Sequence, residues 1–192
     1  MPDLDAIARR FALDRALVEG LLANFETRGW IQQVGFADLS GWALTDEGRE
    51  ENIRLLATEL AETDSRQAIA AAHSMFLPLN ARLLTTVTNW QIRPTRWDSM
   101  AANDHTDWVW DERVLKDLAS LLRSLQPVAQ QLSDALDRMD GYVDRLGAAL
   151  DRVDHGERKW VDQPGIDSFH TVWFELHEDL LATLGIERGQ KP

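Results

Sequence analysis

Two stretches concentrate the side chains able to do chemistry. In IDSFHTVWFELHEDLLATLG, residues 166–185, His170, Trp173, Phe174, His177 and Leu181 recur at helical spacing and share one face. An imidazole can ligate a metal, move a proton or anchor a ligand, and spacing decides among these. A metal pair on a helix needs ligands three or four residues apart. His170 and His177 lie two turns apart, too far to share one ion. Two readings stay open: histidines hydrogen-bonded at the edge of a tryptophan-rich core, or polar anchors of a ligand pocket.

The second stretch is NDHTDWVWDE, residues 103–112. Asn103, Asp104, His105 and Asp107 are short polar groups suited to capping the next helix and holding down a loop. Asp104, His105 and Asp107 match no metal-ligand spacing, so neither a metal nor a cofactor is expected. Eight tryptophans against one tyrosine is an unusual balance, because a buried indole N–H needs a partner. The pocket reading gathers Trp90, Trp97, Trp108, Trp110 and Trp173, with Asn89, His105, His170 and His177 as polar anchors. The competing reading is a tryptophan-heavy core with solvent-facing histidines. No nucleophile elbow, phosphate loop, dinucleotide fingerprint or zinc motif occurs. An enzyme working in the tryptophan/histidine pocket therefore stands only as an alternative.

The elements that must position these residues are mostly helical. Asp3 caps a helix carrying Leu4, Ile7, Ala8 and Phe11, and Asp14 caps a second with Leu17, Val18, Leu21, Leu22 and Phe25 on one face. Gly29 stops that helix. WIQQV (30–34) and GWALT (41–45) read as strands joined by the turn-rich GFADLS segment. Thr45 or Asp46 then caps a long helix, with Ile53, Leu56, Ala57 and Leu60 spaced to face a core. Thr63, Asp64 and Ser65 start another helix, and Pro78 suits the first turn of a separate one running to Trp90. Residues 91–109 break the periodicity. From Leu125, the positions Val128, Leu132, Leu136, Met139, Val143, Leu146, Leu150 and Val153 keep about four heptads, with Pro127 in a first turn. This stretch packs internally or pairs with a second subunit. The final helix ends at Gly185.

The first third of the chain resembles a known family. ALDRALVEGLLANFETRGWI, a turn, and GWALTDEGRE follow the order of multiple-antibiotic-resistance (MarR) type regulators, with their "L..LE.RG.I" and "..LT..G" patterns. Residues 61–192 are similar to actinobacterial proteins described as transcriptional regulators, through the "FL.LN" run and the HTVWFELHEDLL ending. The resemblance implies a winged helix-turn-helix with a two-stranded wing over residues 1–62, without the family's usual first helix. An all-α helical domain follows over 63–192, so the fold class is mainly α. It further implies a homodimeric regulator of double-stranded DNA, with Arg9, Arg10, Arg15, Ala16, Arg28 and Ser40 at the DNA face. A small-molecule effector in the helical domain would shift paired recognition helices.

Bulk chemistry bears on that implication. The net charge is −12, and residues 1–60 hold six arginines, no lysine and eleven acids, a net of −5. Such a field repels phosphate backbones at long range, and the wing tip offers Asp38 and no basic residue. A winged-helix scaffold that binds a ligand or protein partner without DNA is the alternative from another class. The absence of cysteine excludes disulfides and thiolate chemistry and makes a cytoplasmic address the default. MPDLDAIARR fits neither a secretory signal nor a transit peptide. No apolar run approaches the roughly 20 residues of a membrane span.

Overall fold

The computed structural model describes residues 2–36 and 39–186. Two compact units divide the chain, one formed mainly by residues up to Glu62 and the other by Thr63–Leu184.

The first unit runs α1 (Leu4–Phe11), α2 (Arg15–Thr27), β1 (Ile31–Phe36), β2 (Leu39–Leu44) and α3 (Asp46–Thr63). Asp3 accepts the Ala6 amide at 2.7 Å, and Asp14 accepts those of Ala16 and Leu17 at 2.8 and 3.3 Å. Both helices thus start where a short acid satisfies orphan N–H groups. Gly29 turns the chain at φ 74°, a left-handed conformation that glycine adopts without steric cost. The strands pair antiparallel, Ile31 opposite Leu44 and Val34 opposite Gly41. Both extend further toward the hairpin end than the turn-rich reading of GFADLS expects. The expected wing tip, Ala37 and Asp38, lies outside the described residues.

Thr45 closes the unit. Its hydroxyl donates to the Gly29 carbonyl at 2.5 Å and accepts the Gly48 amide at 3.0 Å, while its own amide donates to the Trp30 carbonyl at 3.0 Å. One residue therefore ends β2, caps α3 and fastens both to the turn after α2.

The small core consists of Val18, Leu22 and Ile31, with Leu4, Ile7, Ala8, Phe25 and Trp42 packed against it. Several residues expected inside are instead in solvent: Phe11, Leu17, Leu21 and Ile53, the last 61% exposed, together with Ala57. Their periodicity is helical, but a unit of this size has too few elements to cover two helix faces.

The second unit comprises α4 (Arg66–Gln91), α5 (Trp108–Ala135), α6 (Tyr142–Asp154) and α7 (Phe169–Leu184). Each helix packs on its chain neighbour and α7 packs on α4, which closes a four-helix ring. Phe76, Leu118, Leu121, Leu125, Leu146 and Trp173 fill its centre. Pro78 and Pro127 do not open new helices; each lies inside a continuous one. Proline there removes one backbone hydrogen bond and crowds the preceding turn. Buried side chains on both sides, Phe76 and Leu83 in α4, Leu125 and Val128 in α5, hold the two halves in line.

The heptads of 125–153 are not one helix. Leu136 adopts an extended conformation, a 3₁₀ turn follows at Asp137–Met139, and Gly141 at φ 83° starts α6 back along α5. Leu136 and Met139 stay buried through the break, so the apolar rhythm survives while the helix does not. After it, Tyr142, Leu146, Ala149 and Val153 take the buried stripe. The stretch thus packs internally. No helix among the described residues is long and apolar enough to cross a membrane.

Candidate functional site

In the first unit, the residues that the family resemblance points to are spread over three elements. Arg9 and Arg10 lie in the last turn of α1, where cations complement the helix dipole. The Arg10 guanidinium sits 5.1 Å over the Phe11 ring. Arg15 opens α2, and its Nη1 donates to Asp5. Ala16 is exposed one residue on, and Ser40 is exposed on β2. Arg28 is at the opposite end of α2, about 20 Å away along the axis. Its Nε donates to Asn24 at 2.9 Å, and its guanidinium stacks 4.8 Å over Trp30. The open face of α2 between them carries the small residues Ala16, Gly20, Ala23 and Thr27, edged by Glu19 and Glu26.

In the second unit, the nine proposed pocket residues separate into distinct places. Four meet where the α4–α5 connection returns to the bundle. The Trp90 and His105 rings are 4.3 Å apart between centroids, and the Trp110 indole N–H donates to the Asn89 backbone carbonyl at 2.7 Å. Asp111, only 4% exposed, organises this cluster. His105 Nδ1 lies 3.0 Å from its Oδ2, and Asn103 Nδ2 donates to its Oδ1 at 2.9 Å and to the Trp90 carbonyl at 3.0 Å. Arg158 approaches the same carboxylate at 3.8 Å.

The carboxylate neighbour assigns the proton of His105 to Nδ1, which makes its 3.2 Å approach to Asn103 Nδ2 a contact of two donors, not a bond. Nε2 has no protein partner among the described residues. His105 reaches this position at φ 57°, a strained conformation for a residue with a Cβ. The Trp90 indole beneath this ring is 3% exposed and covered by it, so what the cluster leaves open is the Nε2 edge of His105.

The ends of the connection are fastened as well. An Ile92–Ala102 bridge closes them, the Asn103 amide donates to the Gln91 carbonyl at 2.8 Å, and Arg93 pairs with Asp107 at 2.7 Å. Asp107 caps α5, and the Trp110 amide foremost, then the Arg93 charge, holds its carboxyl below the usual range. Trp97, 84% exposed, and Trp108, 71% exposed, stand in solvent and line no enclosed space with the others.

His170, Trp173 and His177 belong to α7. Trp173 is buried against Phe76 at 5.2 Å, with its indole N–H on Asn80 Oδ1 at 3.1 Å. Asn80 and Trp90 are ten residues apart, about 15 Å along α4, so the two clusters are separate. His170 lies in the first turn of α7, its amide donating to the Val161 carbonyl at 3.0 Å. A cleft of about 310 Å³, lined by Gln126, Gln130, Ser133, Tyr142 and Asp144, contains none of the nine. Among the described residues no group of three or more histidines and acids could hold a metal ion.

Two residues here escape a reading by motif. Asp111 falls in register with the buried positions Val114, Leu118, Leu121 and Leu125; an acid at an apolar position was the available signal. His73 hides in the apolar run AIAAAHSMF. It is buried on α4 with its ring 6.5 Å from that of His177, and its Nε2 has no partner among the described residues. Burial holds its imidazole below the ordinary histidine value of 6.5. The unfolded chain then takes up a proton that the folded chain resists, so this stability is complete above that value and lost as the pH falls below it. Thermal melts between about pH 7.5 and 5.5 are expected to show a falling midpoint, and His73→Gln should flatten part of that fall. Parallel curves for the two proteins would refute the assignment.

No family model, curated protein or solved structure matches this chain.

Proposed function

We propose that this chain is a regulator of transcription. In this reading the first unit is a winged helix that binds double-stranded DNA, and the bundle senses a small aromatic molecule beside Trp90 and His105. The observation that carries the reading is the order and closure of the first unit: two helices, a hairpin and a helix, with Thr45 tying the hairpin's end to the turn at Gly29 and Trp30. Such closure holds a recognition helix and a wing in fixed relation, as groove reading requires. The open face of α2 suits close approach, since small side chains let the backbone near the groove and an alanine methyl can meet a thymine methyl. Arg15 can exchange its exposed pairing with Asp5 for a phosphate, because surface ion pairs are weak.

For the effector, the open Nε2 edge of His105 supplies the polar contact, backed by the buried Trp90 ring. Differential affinity of the effector for two states of the bundle would supply the switch.

The test is fluorescence anisotropy at low salt with DNA from upstream of the protein's own gene. Binding is expected, falling steeply with added salt, and Arg15→Ala should weaken it by about tenfold or more. No binding at micromolar protein would end the reading.

A second reading rests on a different observation. Phe11, Leu13, Leu17 and Leu21 form an exposed apolar flank on the first unit, beside arginines already engaged with Asp5 and Asn24. A unit that docks on another protein through that flank would be indifferent to Arg15→Ala and disabled by Leu17→Asp.

A further inference from the structure

The outward side of α4 is chemically unlike the rest of this surface. The chain is 27% charged with a net charge of −12, yet the 26 residues of α4 include only Arg66 and Arg82 and no acid. Along its solvent side run Ala70, Ser74, Leu77, Ala81, Leu84 and Thr88, all exposed, at alternating spacings of four and three. Leu77 is 37% and Leu84 56% exposed, with Met75 beside them at 44%.

The hydroxyls on this side already have acceptors in their own helix. Ser74 donates to the Ala70 carbonyl at 3.0 Å, Thr85 to that of Ala81 at 3.3 Å, and Thr88 to that of Leu84 at 2.7 Å. Taking water off this stripe therefore leaves no side-chain donor stranded. Arg82 is directed to Ser120 of its own bundle, at 3.5 Å.

A seam of alternating four and three is the spacing by which one helix packs along another. The sizes along it choose the partner. Reversed about a point near Leu79, the stripe sets Leu77 against the partner's Ala81, Leu84 against the partner's Ser74, and Ala70 against the partner's Thr88. Each layer then meets large with small, the condition for interdigitation. In a parallel pair Leu77 would face the partner's Leu77 and Ala81 the partner's Ala81, with crowding and voids in alternate layers. Charge points the same way, since two strongly acidic molecules repel at most approaches and this face brings no acid against another.

We propose that α4 pairs antiparallel with α4 of a second copy of this chain, about a two-fold axis near Leu79. A homodimer is what the family resemblance implies; the proposal adds the face and the antiparallel geometry, and its tests do not depend on DNA binding.

Light scattering on the full chain should give twice the monomer mass of 21.8 kDa. Leu77→Glu and Leu84→Glu each replace an exposed side chain, so circular dichroism should stay unchanged while dissociation becomes easier by at least ~30-fold. The chain has no cysteine, so introduced thiols report geometry cleanly. Ala70→Cys mixed with Thr88→Cys should cross-link under mild oxidation, whereas Ala70→Cys alone should not, its two copies being about 27 Å apart. A monomeric wild type would leave the face to another occupant and overturn the proposal. So would a dimer that survives both glutamates, or self-cross-linking of Ala70→Cys, which requires a parallel pair.

Discussion

Gly48→Ala is expected to unfold the first unit while the bundle remains intact. A β-carbon at Gly48 would stand 1.8 Å from the Trp30 carbonyl oxygen and 2.7 Å from its carbon. Both obstacles are backbone, and that oxygen already accepts the Thr45 amide, so no side-chain rotation relieves the overlap. Either α3 lifts from the turn or the turn moves. In both cases the bonds by which Thr45 fastens the hairpin are strained or lost. Overpacking costs about 1–3 kcal/mol and more where the obstacle cannot yield, a large share of the stability of a unit with so small a core. Amide hydrogen exchange should show protection lost over residues 4–60 and kept over 110–180. Wild-type protection in the first unit would contradict the close approach. The same contact gives a physical meaning to the "LT..G" pattern: threonine caps the helix, and the third residue after it must lack a β-carbon because the helix starts against the main chain.

Trp173→Ala is expected to lower the stability of the bundle by ~3–5 kcal/mol. The ring is 1% exposed and stacked between Phe76 and Phe169, so truncation leaves a cavity that rigid neighbours on α4 and α7 cannot fill. Trp173→Phe keeps the stack and removes only the N–H, leaving Asn80 Oδ1 without its donor. That loss is about 1–3 kcal/mol. Urea denaturation followed by circular dichroism separates the two, with the alanine variant the less stable. Equal midpoints for wild type and Trp173→Ala would mean that the indole is not a packing element.

What could be read from the residues was local. Asp3, Asp14, Gly29 and Thr45 mark their elements because capping and left-handed turns are decided by one side chain and its neighbouring backbone. Pro78 and Pro127 misled for the converse reason, since their local chemistry signals a helix start and packing on both sides overrides it. Leu17, Leu21 and Ile53 show that periodicity predicts an apolar face without saying whether anything covers it. Within the candidate site, loop composition pointed to His105 and Trp90. Residue type alone drew in Trp97 and Trp108, whose exposure depends on where the chain goes next. Asp111 was concealed by sequence distance: eight residues from Asn103 and six from His105, it becomes their common acceptor only when the connection folds back on α5.

The two ends of the bundle meet. Arg66 at the start of α4 donates to the carbonyl of Leu184 at the end of α7, at 3.4 Å. A four-helix ring that leaves and returns at one point is a cassette: it can be spliced into or out of a host chain without stretching what lies on either side. In genetic terms, the bundle and whatever it binds could be inherited, exchanged or transplanted as one piece.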